Sequence, residues 1–173
     1  MRALALSLLL LVAACGGATD SGQAHAAERS LSGQYRPIST IARAATGELS
    51  IQRGGLIFEN GVVLYTRTLE PRAATERTSR DGMSYLALVS GSAENSVELR
   101  RITEAVTAQD SEPICAGDRP SYAALVFDRR GEHLTLLVFT GDEPPGPDAT
   151  QTTLCATLRY ASFNLAPHGV VLR

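Results

Sequence analysis

The chain has 173 residues, with 16 basic against 18 acidic side chains, a formal net charge of −2 and 44% hydrophobic residues. That length bounds it to one ordinary domain with room for a tail, and the charge balance excludes the basic footprint of a nucleic-acid-binding protein. Every basic residue is Arg, Trp is absent and aromatics make up 5%, which excludes lysine Schiff-base chemistry, lysine-dependent phosphate loops and an aromatic-rich sugar or base platform.

The N-terminus reads Met1-Arg2 and then Ala3 to Ala14, apolar except for Ser7. One positive charge followed by about a dozen apolar residues is the layout of a secretory signal peptide. As a helix this run spans roughly 18 Å, short of the ~30 Å hydrocarbon core, so it predicts export rather than a membrane span. It closes on Leu11-Val12-Ala13-Ala14-Cys15-Gly16-Gly17. Small residues ahead of a single cysteine resemble the lipobox of bacterial lipoproteins. The resemblance implies cleavage before Cys15, thioether attachment of a diacylglycerol and acylation of the new amino terminus. With Gly16 rather than Asp after the cysteine, it also implies the outer membrane. Two or more acyl chains anchor stably at ~0.8 kcal/mol per buried methylene, whereas one holds only marginally. The alternative is an ordinary signal peptide cut at Ala-x-Ala, with Cys15 incidental. Residues 16–30 are rich in Gly, Ala, Ser, Thr and Asp without apolar periodicity. Such composition reads as a flexible tether with a reach of roughly 20 Å. The expected organisation is therefore a signal peptide over 1–14, a lipidated cysteine and tether over 15–30, and one domain over 31–173.

Strand-length runs separated by turn signals fill the rest of the chain, and no long helical period appears. Leu31-Ser32-Gly33-Gln34-Tyr35 resembles the Gly-x-aromatic opening of lipocalin-like barrels, with Tyr in place of the usual Trp. Glu48 to Gln52 predicts a short strand closed by Arg53-Gly54-Gly55. Leu56–Glu59 and Val62–Thr66, joined by Asn60-Gly61, predict a hairpin with a type I′ turn. Met83–Ser90 and Val97–Ile102 predict a second pair, across residues 91–96. Ser90-Gly91-Ser92-Ala93 resembles the serine-glycine loop of membrane-bound lysozyme inhibitors, which are lipid-anchored β-barrels, but the flanking inhibitor pattern is missing. Tyr122–Phe127 and His133–Thr140 predict a third pair over a type I turn at Asp128-Arg129-Arg130-Gly131. Both strands are apolar on both faces in places, which predicts a central position. Thr153–Ala161 alternates, with Leu154, Ala156, Leu158 and Tyr160 on one side and Cys155 on the other. Thr40–Thr46 and Pro71–Arg80 are open between short helix and loop, as Thr103–Gln109 is between strand extension and helix. Gly141–Ala149, with Pro144-Pro145-Gly146-Pro147, reads as an irregular loop. The sum is an all-β domain, a single antiparallel barrel or sandwich of about 7–9 strands with little helix.

With Cys15 lipidated, Cys115 and Cys155 remain, and in an exported chain they predict a disulfide. From the alternation, that bond is expected to staple the loop from Pro113 to Pro120 onto the less apolar face, away from the main core. Neither cysteine has zinc or redox-motif spacing. His25 falls in the tether, His133 at a strand start after a tight turn, and His168 behind Pro167; each reads as a solvated histidine. There is no Gly-x-Ser-x-Gly elbow, dinucleotide fingerprint or zinc helix. No catalytic residue, metal ligand or cofactor is expected. Arg100 and Arg101 face opposite ways in a strand and make no single patch. Arg129 and Arg130 at a hairpin tip, and Asp142 and Glu143 in the proline-rich loop, are the candidate partner-contact residues. Three functions remain. A lipid-anchored envelope domain with a non-catalytic binding or structural role leads; some of this class inhibit lysozyme-like hydrolases through a protruding loop, here residues 141–149. Its partner would be an envelope protein. A carrier of a small apolar ligand comes second, and an envelope hydrolase built on His133 or converging carboxylates comes last.

Overall fold

The computed structural model describes residues 30–109 and 111–164. The expected signal peptide, Cys15, the expected tether up to residue 29 with His25, and His168 lie outside the described residues. Strands β1 (Gly33–Pro37), β2 (Leu49–Gln52), β3 (Gly55–Phe58), β4 (Val63–Thr68), β5 (Ser96–Val106), β6 (Tyr122–Phe127), β7 (His133–Thr140) and β8 (Thr153–Ser162) pair antiparallel in that order. β8 returns to β1, closing the all-β domain as a barrel rather than a sandwich. Closure removes sheet edges, so every strand finds two partners.

Alternation decides which side chains fill the barrel. Leu49 and Ile51 of β2, Leu56 and Phe58 of β3, Leu64 of β4, Leu125 and Phe127 of β6, Leu134 and Leu136 of β7, and Leu158 and Tyr160 of β8 form one buried cluster. Eight strands enclose a space that side chains just fill. Helix α1 (Thr40–Ala45) adds Ala42 to the same cluster. Its N-cap is Ser39, whose hydroxyl accepts from the Ala42 N–H at 3.2 Å. Thr46, just past the helix, donates to the Ala42 carbonyl and lies 2.7 Å from the Tyr160 hydroxyl.

A second cluster explains why β6 is buried along its whole length. Val97, Leu99, Tyr122, Ala124, Val126, Leu137 and Phe139 face outward from β5–β7, under Ala74, Tyr85 and the partly buried Leu69, Leu86, Leu88 and Val89. The cover is the long β4–β5 connection, and it includes helix α2 (Tyr85–Val89). This corrects the expected strand over Met83–Ser90. Ser84 caps the Ala87 N–H at 3.2 Å, and Ser90 ends the turn at φ 52°. A five-residue apolar run carries no decisive period, and Leu and Ala favour helix where one face must lie flat on a sheet. Val97–Ile102 instead belongs to β5, which reaches Val106 and pairs with β4 and β6. Residues 71–80 are loop, touching the sheet by an Arg72–Val97 bridge.

Two local geometries also differ from expectation. The β3–β4 link is a three-residue loop: the Gly61 N–H donates to Phe58 O at 3.0 Å and the Phe58 N–H to Val62 O at 2.9 Å. Of its residues only Gly61 takes positive φ, at 83°. That is a type I turn with a glycine bulge, not type I′. The second difference is a bulge in β8: Val138 pairs with Ala156 but Phe139 with Leu154, leaving Cys155 out of register. The bulge inverts the alternation at this point. Leu154 packs under the outer cover, whereas Cys155 packs against the interior cluster beside Cys115. The two cysteines form the expected disulfide, with Cα atoms 5.3 Å apart. It ties the 107–121 connection into the core, not onto the outer face.

The buried phenols give this fold an alkaline limit. Burial pushes Tyr160 up to about 12, against a small opposing effect of Thr46. Burial also raises Tyr85 far above the ordinary phenol range, partly offset by Arg72. Tyr35 is raised by burial and then by the Asp128 charge. Groups raised on folding contribute stability that is full below about pH 10 and is lost as pH climbs through their folded values. In an ultraviolet alkaline titration, ionisation of these three should coincide with loss of the β-sheet circular dichroism; ionisation with the spectrum intact would refute their burial.

Candidate functional site

Among the described residues, the β6–β7 hairpin tip brings Asp128, Glu132 and His133 together as a group. Its turn forms because Asp128 precedes a Gly131 at φ 67°, and the Gly131 N–H donates to Asp128 O at 2.9 Å. The Asp128 carboxylate organises the rest. Oδ1 accepts the N–H groups of Arg130 (3.1 Å) and Glu132 (2.9 Å), and Oδ2 those of His133 (3.1 Å) and His133 Nδ1 (2.9 Å). From below, Tyr35 of β1 donates its hydroxyl to Gly131 O at 3.0 Å.

Opposite this tip lies the 92–95 turn, and the two enclose a shallow concavity of about 330 Å³. Arg129 reaches Glu94 at 3.5 Å and Arg130 reaches Glu132 at 3.8 Å, both arginines being well exposed. Exposed pairs of this kind contribute little stability, so the guanidinium groups remain available to a partner. Ser92 lines the same concavity, but its hydroxyl donates to Asn95 at 3.3 Å and no hydrogen bond joins it to His133 among the described residues. The Asp128–His133 pair therefore lacks a nucleophile in contact, and no triad forms there.

One ligand atom from each of Asp128, Glu132 and His133 falls within 4.8 Å of the others. A carboxylate has about four acceptor directions, and the hydrogen bonds to Asp128 occupy them. With the Arg130 guanidinium beside Glu132, the set is closed on itself as a turn network and is poorly suited to chelation. Burial alone would raise the Asp128 pKa, but the His133 contact and the backbone N–H groups of Glu132, His133 and Arg130 outweigh it and hold the carboxyl below its ordinary value. A group lowered on folding contributes stability that is present above about pH 4 and is lost as pH falls through its folded value. Asp128→Asn should therefore melt earlier than the parent near neutrality, with the two curves converging below about pH 3. A constant gap across acid would mean that the charge of Asp128 is irrelevant to the turn.

The other candidate residues sit elsewhere. Asp142 and Glu143 come after β7, whereas Arg129 and Arg130 precede it, so the two pairs occupy opposite ends of that strand. Glu143 accepts the Thr150 and Gln151 N–H groups at 2.6 and 3.1 Å, which lowers its pKa and fastens its own loop. That loop lies along the barrel wall: Pro145 and Gly146 are buried, the Tyr85 hydroxyl donates to Pro145 O at 3.2 Å, and the Gly146 N–H to Thr78 O at 3.0 Å. Asp142 is exposed, and its carbonyl accepts from the Tyr122 hydroxyl at 3.0 Å. Arg100 and Arg101 do face opposite ways, Arg101 exposed and Arg100 fully buried.

Sequence reasoning missed what Arg100 does inside the barrel. Its Nε donates to Glu98 Oε1 at 2.8 Å, Nη1 to Gln52 O at 2.8 Å and Nη2 to Leu31 O at 3.1 Å. Glu98 in turn accepts the Leu31 N–H at 2.7 Å and the hydroxyls of Ser30 and Thr68 at 3.3 Å. This ion pair holds Ser30 and Leu31, the first described residues, against the barrel. Comparison with protein-family models, curated proteins and solved structures gives no match for this chain.

Proposed function

We propose that this chain is a lipid-anchored lipoprotein of the bacterial cell envelope whose barrel works by binding through its outer surface, without catalysis. The observation that carries this reading is the filled barrel. Side chains from all eight strands and α1 meet in one buried cluster or in the Glu98–Arg100 pair, which supports a packed interior over one hollowed for an apolar ligand. This favours surface recognition, with Arg129 and Arg130 on the β6–β7 turn as well-exposed charged contacts. The Cys115–Cys155 bond suits an oxidising compartment, and the lipobox-like run ending at Cys15 supplies the anchor. Glu98 pins Ser30 and Leu31 to the domain.

The test is mass spectrometry of the protein extracted from membranes of a diderm bacterium, under denaturing and then native conditions. The expected result is a chain starting at Cys15 with added acyl mass, a mass rise of two protons on reduction, and no further small molecule retained natively. Unlipidated protein in the soluble fraction would overturn the anchor, and a retained apolar ligand would overturn surface binding in favour of transport.

A further inference from the structure

The outer wall from β1 to the far end of β5 carries acid, apolar surface and base in order along its strands. Leu49, Ile51, Leu56, Phe58, Leu64 and Ile102 fill the interior, so the residues that alternate with them point outward. In the middle of the wall Ile57 stands opposite Val63, and Val63 opposite Val106. One step along the strands, Gly55 stands opposite Tyr65, and Tyr65 opposite Glu104. Exposure is 36% at Ile57, 43% at Val106 and 47% at Tyr65. At the α1 end of the strands Glu48 and Glu59 are exposed together, the Glu48 N–H donating to Glu59 Oε2 at 2.9 Å. Arg36 of β1 is half-buried at that end and engaged in contacts of its own. At the other end Arg53 of the β2–β3 turn, Arg67 and Arg101 are exposed, and Arg67 lies directly opposite Arg101. Like charges placed so destabilise a sheet. Neither guanidinium has an ion-pair partner among the described residues.

We propose that this wall is the contact between two copies of this chain, packed face to face about a two-fold axis. Such an interface needs a surface that is complementary to itself. Let the axis lie in the contact plane, across the strands, midway between the row of Ile57 and the row of Tyr65. It lays each strand over its own mate with the direction reversed, so the acidic end of one copy meets the basic end of the other. Glu48 and Glu59 then approach Arg53 and Arg67 of the second copy, with Arg101 one strand further on. In the middle Val63 meets the second copy's Tyr65, and Ile57 lands on Gly55, which has no side chain to obstruct it. Glu104, on β5 at the margin of the face, keeps its water. An anionic bilayer would meet Glu48, Glu59 and Glu104 along with the arginines, whereas a second copy brings the opposite charge to each end. The face spans four interstrand steps, roughly 19 Å, by about six residues along the strand, roughly 20 Å. Two such faces bury less than about 1,200 Å² in all, the size of transient complexes, so the dimer forms reversibly. The proposal rests on neither the anchor nor the β6–β7 turn.

Sedimentation velocity of the full chain tests the proposal. The parent should pass from monomer to dimer as its concentration rises at low salt, and added salt should weaken the dimer by screening its exposed charges. Arg67→Glu with Arg101→Glu turns the basic end acidic, and Glu48→Arg with Glu59→Arg turns the acidic end basic. Each variant alone should dimerise about tenfold more weakly or worse, because like charges now meet at both ends. An equal mixture of the two should recover a dimer, which a structural defect in either would not allow. Tyr65→Asp should weaken association from the centre of the face with both charged ends intact, and it decides the matter if the glutamate variant fails to fold. A parent that stays monomeric, or charge variants that associate as the parent does, would overturn the proposal. So would a monomeric parent that binds vesicles of anionic phospholipid through Arg67 and Arg101, which would assign the face to a membrane.

Discussion

Arg100→Ala should destabilise the domain by about 3–5 kcal/mol, among the largest losses available to a single substitution here, because it strands a buried carboxylate. Arg100 is fully buried and Glu98 7% exposed, with their charged atoms 2.8 Å apart. Neither charge has water to return to, so each depends on the other and on the backbone groups around it. Glu98→Ala should cost a comparable amount for the mirror-image reason. The double variant separates a charge pair from mere packing. Glu98→Leu with Arg100→Met removes both charges at similar volume, and such replacements of buried pairs are often neutral or stabilising. With Glu98→Leu and Arg100→Met as the matching single variants, it should recover most of what either loses, giving a coupling energy of at least about 2 kcal/mol in urea unfolding. Single losses below about 1 kcal/mol that simply add would refute the latch. The apolar pair leaves one defect: the Leu31 N–H and the Leu31 and Gln52 carbonyls lose partners. Hydrogen exchange at Leu31 should accelerate in the double variant even where global stability returns.

That latch also marks where the sequence stops being legible. Strand existence was readable, since β2, β3, β4, β6, β7 and β8 all fall on runs bounded by turn residues, and Asp128–Gly131 is a turn whose chemistry is local. Ser96-Val97-Glu98-Leu99-Arg100 alternates as well, but alternation states only that two faces differ, not which faces the barrel. A half-solvated strand and one with a covered outer face give the same pattern. Here Val97 and Leu99 lie outside under the cover, and Glu98 and Arg100 inside. What decides is the 69–95 connection folding back over β5–β7, a long-range event with no signature within five residues. The same connection hid α2, whose run is too short to show a period. Cys155 was misplaced for a related reason. A single-residue bulge resets the facing of everything before it, and nothing in Thr153–Ala161 announces one. At the candidate site, charge and exposure at Arg129 and Arg130 were legible. The capture of all of Asp128's acceptors by its own turn was not, because that depends on how residues 130–133 curl.

The disulfide should account for the second large effect. Replacing both Cys115 and Cys155 by Ala is expected to cost about 4 kcal/mol, the chain-entropy value for a loop of this size. The sequence separation is 40. For a domain of this length that loss lowers the melting temperature by about 10–20 °C. The structure gives a reason to expect the full value. Residues 107–121 join β5 to β6 without any helix or strand among the described residues, so few backbone bonds hold them. What fixes the connection is Cys115, 4% exposed and packed with Ile114 onto the interior cluster, together with the Ser111 hydroxyl on Asn60 O. Cutting the bond lets this end of the barrel open while the rest remains paired. Local and global effects can be told apart by hydrogen exchange. In the double variant, amides at 114–118 and 153–157 should lose protection well before those of Leu134–Leu136, which sit in the β6–β7 ladder beyond the reach of the bond. Reduction of the parent protein should reproduce the same fall in melting temperature, since both treatments free the same loop. A reduced protein that melts where the oxidised one does would mean that packing of Ile114 and residue 115 holds the connection unaided. The barrel end would then be closed by apolar contact alone, and the cysteine pair would be dispensable to the fold.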